Sequence, residues 1–159
     1  MVFGLIWVVR GVILSGYPFF PHHSFGIPVS WKMDKSEVKH WSSEMLNNFA
    51  EISGDYNPIH FDENYAKDTL FKGTIIHGML YASFISKVIG MDLPGAGTIY
   101  LEQYLKFISP VRINDEISAV VCIKKIKDNG ICELDTVCVN QNDQMVIKGY
   151  AVVKLPENY

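Results

Sequence analysis

The chain has 159 residues, 48% apolar and 19% charged, with a formal net charge of −3. That length is one domain, long enough to bury roughly two-thirds of the surface its unfolded chain exposes. The apolar share excludes a disordered chain. No Lys/Arg run exceeds two residues, so the clustered basic patch that nucleic acid requires is missing.

The first thirty-two residues differ from the rest. Val2 to Val9 is apolar, Arg10 interrupts, Gly11 to Phe20 resumes, and Pro18, Pro21 and Pro28 break any regular element. No acidic residue precedes Asp34. A secretory signal places positive charge before its apolar core, whereas here the core comes first. A membrane span needs about 20 uninterrupted apolar residues, and Arg10 divides this run. One Arg and three Ser make a poor mitochondrial presequence. Residues 1–32 are therefore expected to lie outside a single domain of residues 33–159. They read as sequence upstream of a true start at Met33, with a cleaved organellar presequence as the alternative. The matching locations are the cytoplasm and, with a presequence, the mitochondrial matrix. No membrane attachment is expected.

From Met33 the signals are regular. Lys35 to Trp41 reads as a short strand. Ser42 or Ser43 caps a helix whose apolar residues Met45, Leu46, Phe49, Ala50 and Ile52 follow helical spacing, and Gly54 ends it as a left-handed cap. A loop follows from Asp55 to Phe61, and Asp62 caps one further turn. A second helix, His77 to Met91, is apolar nearly all round, which predicts burial on most sides. Pro94 and Gly95 close it. Four strands complete the chain: Thr98 to Ile108, Glu116 to Lys127, Gly130 to Asn140 and Gln144 to Leu155. Hairpin signals stand at Asp128-Asn129-Gly130 and Asn140 to Asp143. One helix followed by an antiparallel meander is an α+β pattern. Cys122, Cys132 and Cys138 are odd in number and lack C-x-x-C spacing, so they read as three buried, reduced thiols in a reducing compartment.

The long helix carries small residues at Gly78, Ala82, Ser86 and Gly90, each four apart. Close packing on a sheet is the reading for Ala82 and Gly90. For Gly78 and Ser86, packing and function both stay open. Phe84, Ile85 and Ile89 are candidate floor residues for a short pocket.

The chemistry concentrates in Gly54-Asp55-Tyr56-Asn57-Pro58-Ile59-His60. Pro58 fixes its own φ and pushes Asn57 towards extended geometry, so a carboxylate and an imidazole sit five residues apart on a stiff loop. Asp is ionised at neutral pH and His titrates close to it, so the pair is able to hold one water and move its protons. The plainer reading is a turn in which Asp55 and Asn57 bond local backbone. Downstream, Ile76-His77-Gly78-Met79-Leu80 opens the apolar helix, whose first N–H groups are free to polarise a carbonyl. His77 reads as a helix-start residue and stays outside the catalytic set. His22, His23 and His40 have no convincing partner.

These two segments, with Leu93-Pro94-Gly95, Ile99-Tyr100-Leu101 and Ala151-Val152-Val153-Lys154-Leu155-Pro156, resemble the MaoC-like, (R)-specific enoyl-CoA hydratases. The resemblance runs from about Lys35 to Pro156. It implies a hotdog fold, an antiparallel sheet wrapped around one long helix, and a homodimer. It also implies that Asp55 and His60 are the catalytic pair and that the Gly78 N–H binds the thioester oxygen. Ser86 matches a polar residue near the active water, and Asn57 a position that shapes the loop. The implied reaction is syn hydration of a trans-2-enoyl-CoA to an (R)-3-hydroxyacyl-CoA, with an acyl-CoA thioester as substrate and no metal or redox cofactor.

Three rivals remain. A hotdog thioesterase places a carboxylate on its central helix, and His77 to Met91 contains no Asp or Glu. A dehydratase acting on acyl-carrier-protein thioesters has identical reacting groups. A non-catalytic acyl-thioester-binding module has no need of both Asp55 and His60.

Overall fold

The computed structural model describes residues 39–156; most of the Lys35 to Trp41 strand expectation, residues 1–32, and the histidines His22 and His23 lie outside them. Five strands form one antiparallel sheet: β1 (Lys39–His40), β2 (Ile99–Phe107), β3 (Glu116–Ile126), β4 (Ile131–Asn140) and β5 (Met145–Lys154). The order across the sheet is β1-β3-β4-β5-β2, so β1 and β2 are opposite edges. The four long strands end within one residue of their expected bounds. Their turn chemistry explains this. Gly130 takes φ +75° between β3 and β4, and Asn129 Oδ1 accepts from Ile131 N–H at 3.2 Å. Between β4 and β5, Asn140 Oδ1 accepts from the N–H groups of Asn142 and Gln144, both at 3.0 Å.

Alternate residues of β3 and β4 point to one face. Ile117, Ala119 and Val121 are buried there with Cys132, Leu134, Thr136 and Cys138, as a period of two demands. Cys132 and Cys138 are buried free thiols, both pushed up to about 12 by burial. Cys122 is also free but only half-buried, because it falls on the opposite face of β3. The expectation of three buried thiols is corrected to two.

Helix α1 (Ser43–Ser53) begins at Ser42, whose side chain accepts from Met45 N–H at 3.2 Å. It ends at Gly54, φ +75°, whose N–H reaches the Ala50 carbonyl at 2.8 Å. Leu46 and Ala50, one turn apart, are its buried residues. Ile52 is 86% exposed, against its grouping with the apolar face; it lies about 200° round the helix from Ala50. A one-turn helix α2 (Glu63–Ala66) is capped by Asp62.

Helix α3 (Gly78–Met91) packs against β3 and β4. Its buried residues Tyr81, Ala82, Ile85, Val88 and Ile89 recur at i, i+1, i+4, i+7 and i+8, one face of a helix. The sheet covers that face only, so Met79, Ser83, Ser86 and Met91 are exposed. Burial on most sides is therefore not met within one chain. The small-residue stripe does not act as a unit either. Residues four apart drift about 40° per step round a helix. Ala82 faces the sheet and is buried, whereas a Cβ at Gly90 would meet open space. Close packing is corrected for Gly90. Phe84, Ile85 and Ile89 belong to the core, Phe84 stacking on Trp41 at 5.2 Å.

Ala82→Leu is expected to cost roughly 1–3 kcal/mol by overpacking the helix–sheet contact. Chemical denaturation of the two proteins measures it, and an unchanged midpoint would contradict this packing.

Candidate active site

The end of α1 aims the site loop. Gly54 turns the chain out of the helix, and Ser53 Oγ ties the corner by donating to the Phe49 carbonyl at 2.7 Å and accepting from Asp55 N–H at 3.2 Å. Asp55 Oδ1 then accepts from Asn57 N–H at 3.2 Å, and Asn57 Oδ1 from Ile59 N–H at 3.2 Å. Asn57 so caps the single 3-10 turn Pro58–His60. These are the local bonds of a turn, and they also orient the carboxylate: Oδ1 is engaged and Oδ2 faces His60. The turn and the site are one object.

His60 Nε2 lies 3.9 Å from Asp55 Oδ2. That is too long for a direct hydrogen bond and suits one water within about 2.8 Å of each atom. The other ring nitrogen, Nδ1, lies 2.8 Å from the Ile75 carbonyl. A carbonyl only accepts, so Nδ1 carries the hydrogen and Nε2 presents a lone pair towards Asp55. The His60 side chain is 10% exposed and that of Asp55 49%. Burial holds His60 below the usual imidazole value of 6.5, against the bond to Ile75; neighbouring His77 lowers it further and the Asp55 carboxylate raises it. The imidazole is thus neutral at neutral pH.

The pair borders a cavity of about 490 Å³ lined by Phe49, Phe71, Ile75, Ile76, Tyr81, Phe107 and Ile108, with His77, Gly78 and Met79 at the start of α3. The apolar walls thus come from both sides of the loop rather than from Phe84, Ile85 and Ile89. The first N–H groups of α3 have no acceptor within the helix, and Gly78 is its first residue. The space over the Gly78 α-carbon is taken: a Cβ there would come 2.6 Å from the Phe107 ring. Glycine at this position is what lets Phe107 of the edge strand close over the helix start, which in turn shapes the cavity wall.

Asp55, His60 and Gly78 are brought together. Asn57 supports the loop from behind and does not line the cavity. Ser86 is exposed and outside the lining. It lies eight residues along α3 from Gly78 and about 80° round, so its implied place beside the active water is not met within one chain.

His77, set aside on sequence grounds, is inside the site. It is 2% exposed, its ring lies 3.8 Å from that of His60, and its Nε2 is 3.0 Å from the Asp55 backbone carbonyl. Adjacency to Gly78 was the only available signal. Asp55, His60 and His77 each offer a possible metal-ligand atom, mutually within 4.8 Å. A metal needs lone pairs converging on one point about 2.1 Å away. Two imidazoles tilted only 30° in a stack direct their in-plane lone pairs along neighbouring planes, so this arrangement fits a water better than a cation.

A long helix on an antiparallel sheet, with a carboxylate–imidazole pair beside the helix N-terminus, defines a hotdog-fold protein with a candidate acid/base pair. The family model described as MaoC like domain matches residues 25–143, and the chain belongs to the MaoC-like family. The (R)-specific enoyl-CoA hydratase of Aeromonas caviae is 44% identical over 109 residues, 68% of this chain and 81% of that protein. A mitochondrial 3-hydroxyacyl-[acyl-carrier-protein] dehydratase of Arabidopsis thaliana is 39% identical over 124 residues, 76% and 74% of the two chains. The solved (R)-hydratase from A. caviae involved in PHA biosynthesis superposes with TM-score 0.75 at 37% identity, covering 85% of this chain and 100% of that one.

Proposed function

We propose that this chain is a hydro-lyase that adds water to trans-2-enoyl-CoA thioesters, giving (R)-3-hydroxyacyl-CoA, and catalyses the reverse dehydration. The observation that carries the reading is the Asp55–His60 pair, spaced 3.9 Å apart beside the N-terminus of α3. Water held between Asp55 Oδ2 and His60 Nε2 donates to both acceptors. Asp55 takes a proton while His60 orients the water. The oxygen bonds to C3, the π electrons move towards the thioester carbonyl, and the resulting enolate is stabilised by the Gly78 N–H. The pair then returns a proton to C2 on the same face. Asn57 acts only by holding the loop.

The test is turnover of crotonyl-CoA with stereochemical readout. Absorbance of the conjugated thioester should fall, and an (S)-specific 3-hydroxyacyl-CoA dehydrogenase should give no coupled signal. A strong signal with that enzyme would sink the assignment. The Arabidopsis relative supports one second reading, a dehydratase of acyl-carrier-protein thioesters. Crotonyl-loaded carrier protein in the same assay separates the two by kcat/KM.

A homodimer is part of the proposal. Edge strand β2 exposes Ile99, Leu101, Tyr104 and Phe107, and the uncovered side of α3 carries Met79. The assay preparation should elute at twice the chain mass, and a monomer at working concentration would refute this.

The domain is proposed to span residues 33–159. Among the described residues no helix is long and apolar enough to cross a membrane. A cytoplasmic location is proposed, with the mitochondrial matrix as the alternative. Intact mass of the native protein, which reads where its N-terminus lies, distinguishes them.

A further inference from the structure

We infer that His77 is a positioning residue of this site, a ring N–H donor that anchors the Asp55 backbone and backs the His60 ring. The inference rests on the hydration reading above and goes beyond it, since that mechanism uses His77 nowhere.

Asp55 stands just past the end of α1 with a half-exposed side chain. Its other bonds are local: its N–H to Ser53 Oγ and its Oδ1 to Asn57 N–H, each two residues away. The bond from His77 Nε2 to the Asp55 carbonyl, 3.0 Å long, spans 22 residues and ties the loop to the start of α3. Because a carbonyl only accepts, Nε2 carries the hydrogen. His77 Nδ1 is buried with no hydrogen-bond partner. His77 is therefore placed as a donor to the Asp55 loop.

The same ring covers one face of His60 at 3.8 Å, while the Ile75 carbonyl holds His60 in its plane. Together these contacts block rotation of the His60 imidazole and keep Nε2 aimed at Asp55 Oδ2. His77 is itself wedged between Phe49 at 5.1 Å and Phe61 at 5.6 Å. Its position in the chain supports the same reading. His77 is the N-cap of α3, where Ser, Thr, Asp or Asn usually accepts from the helix, yet its side chain makes no cap hydrogen bond. The side chain is turned to Asp55 instead. One residue thus links the base, the water-orienting imidazole and the helix start that carries Gly78.

Three variants test this against simple packing: His77→Phe keeps the ring and loses the donor, His77→Gln keeps an N–H at similar reach, and His77→Asn carries one that stops short. With crotonyl-CoA, His77→Phe should lose about 10²-fold in kcat, the scale of a misplacement near 1 Å, with little change in KM. His77→Gln should recover at least tenfold of that loss. A packing role predicts the reverse order, and a Phe variant equal to or better than Gln overturns the inference. Should His77→Phe not fold, Gln against Asn decides: at least tenfold higher kcat for Gln supports the anchor, equality overturns it. Absence of turnover in the unmutated protein defeats the hydratase reading instead. Imidazole ¹⁵N shifts of His60 then decide the present point without substrate. Loss of its single Nδ1–H form in the folded Asn variant but not in Gln supports positioning, and an unchanged form in Asn, or equal loss in both, refutes it.

Discussion

Asp55→Asn and His60→Gln are each expected to lower kcat for enoyl-CoA hydration by roughly 10²–10⁴-fold, the usual contribution of a positioned acid or base. Folding should change little, because Asp55 is half-exposed and Asn retains an oxygen for the Asn57 N–H. The two groups are proposed to share one water, so the double variant should be little slower than the worse single one. Losses that multiply would show that they act on separate steps. The pH profile adds an independent check. Burial places His60 below 6.5, so its neutral, accepting form persists through neutral pH. Activity that depends on that lone pair is present above the depressed value and is lost as pH falls through it. The acid limb assigned to His60 should thus lie below 6.5 in kcat/KM and disappear in His60→Gln. An acid limb above 6.5 would contradict a neutral, buried imidazole.

Gly149→Ala is the substitution expected to damage the fold most. Gly149 lies in β5 opposite Leu105 of edge strand β2, and a Cβ there would come 1.9 Å from the Tyr104 carbonyl oxygen and 3.3 Å from Gln103 Nε2. The first obstacle is backbone in the middle of a ladder, so it yields only if β2 moves off β5. Gln103 is also committed. Its Nε2 donates to the Tyr104 and Tyr150 carbonyls at 2.8 and 2.9 Å and to the buried Thr136 hydroxyl at 3.2 Å. Overpacking costs typically 1–3 kcal/mol and occasionally more. With backbone as the obstacle, about 3 kcal/mol is expected, a fall of roughly 10 °C in Tm for a domain of this size. Because β2 also carries Phe107 over Gly78, activity should fall with it. Gly90→Ala is the control. Its Cβ meets open space and alanine is the better helix former by about 0.5–1 kcal/mol, so Tm should hold or rise. If Gly149→Ala melts with the unmutated protein, the close approach of β2 and β5 is wrong.

By itself the sequence determined what depends on neighbours along the chain. Ser42, Gly54, Asp62, Asn129-Gly130 and Asn140 are caps and turn residues whose capping and turn-closing hydrogen bonds reach two to four positions. They place α1, α2 and the four long strands to within a residue or two. The placing of Asp55 and His60 on one stiff loop was legible for the same reason, since Asn57 and Pro58 are among the four residues between them; their catalytic role was implied only by the family resemblance. Tertiary structure alone decided which faces are covered. Ile52, Met79 and Met91 are as apolar as buried positions, and only the location of the sheet leaves them exposed. Gly149 passed as an ordinary strand residue, because its constraint is the Tyr104 carbonyl 45 positions away in sequence. His77 likewise looked like a helix start. What makes it part of the site is a bond to Asp55 and a stack on His60, contacts that exist only once the α1 loop and the start of α3 are folded against each other.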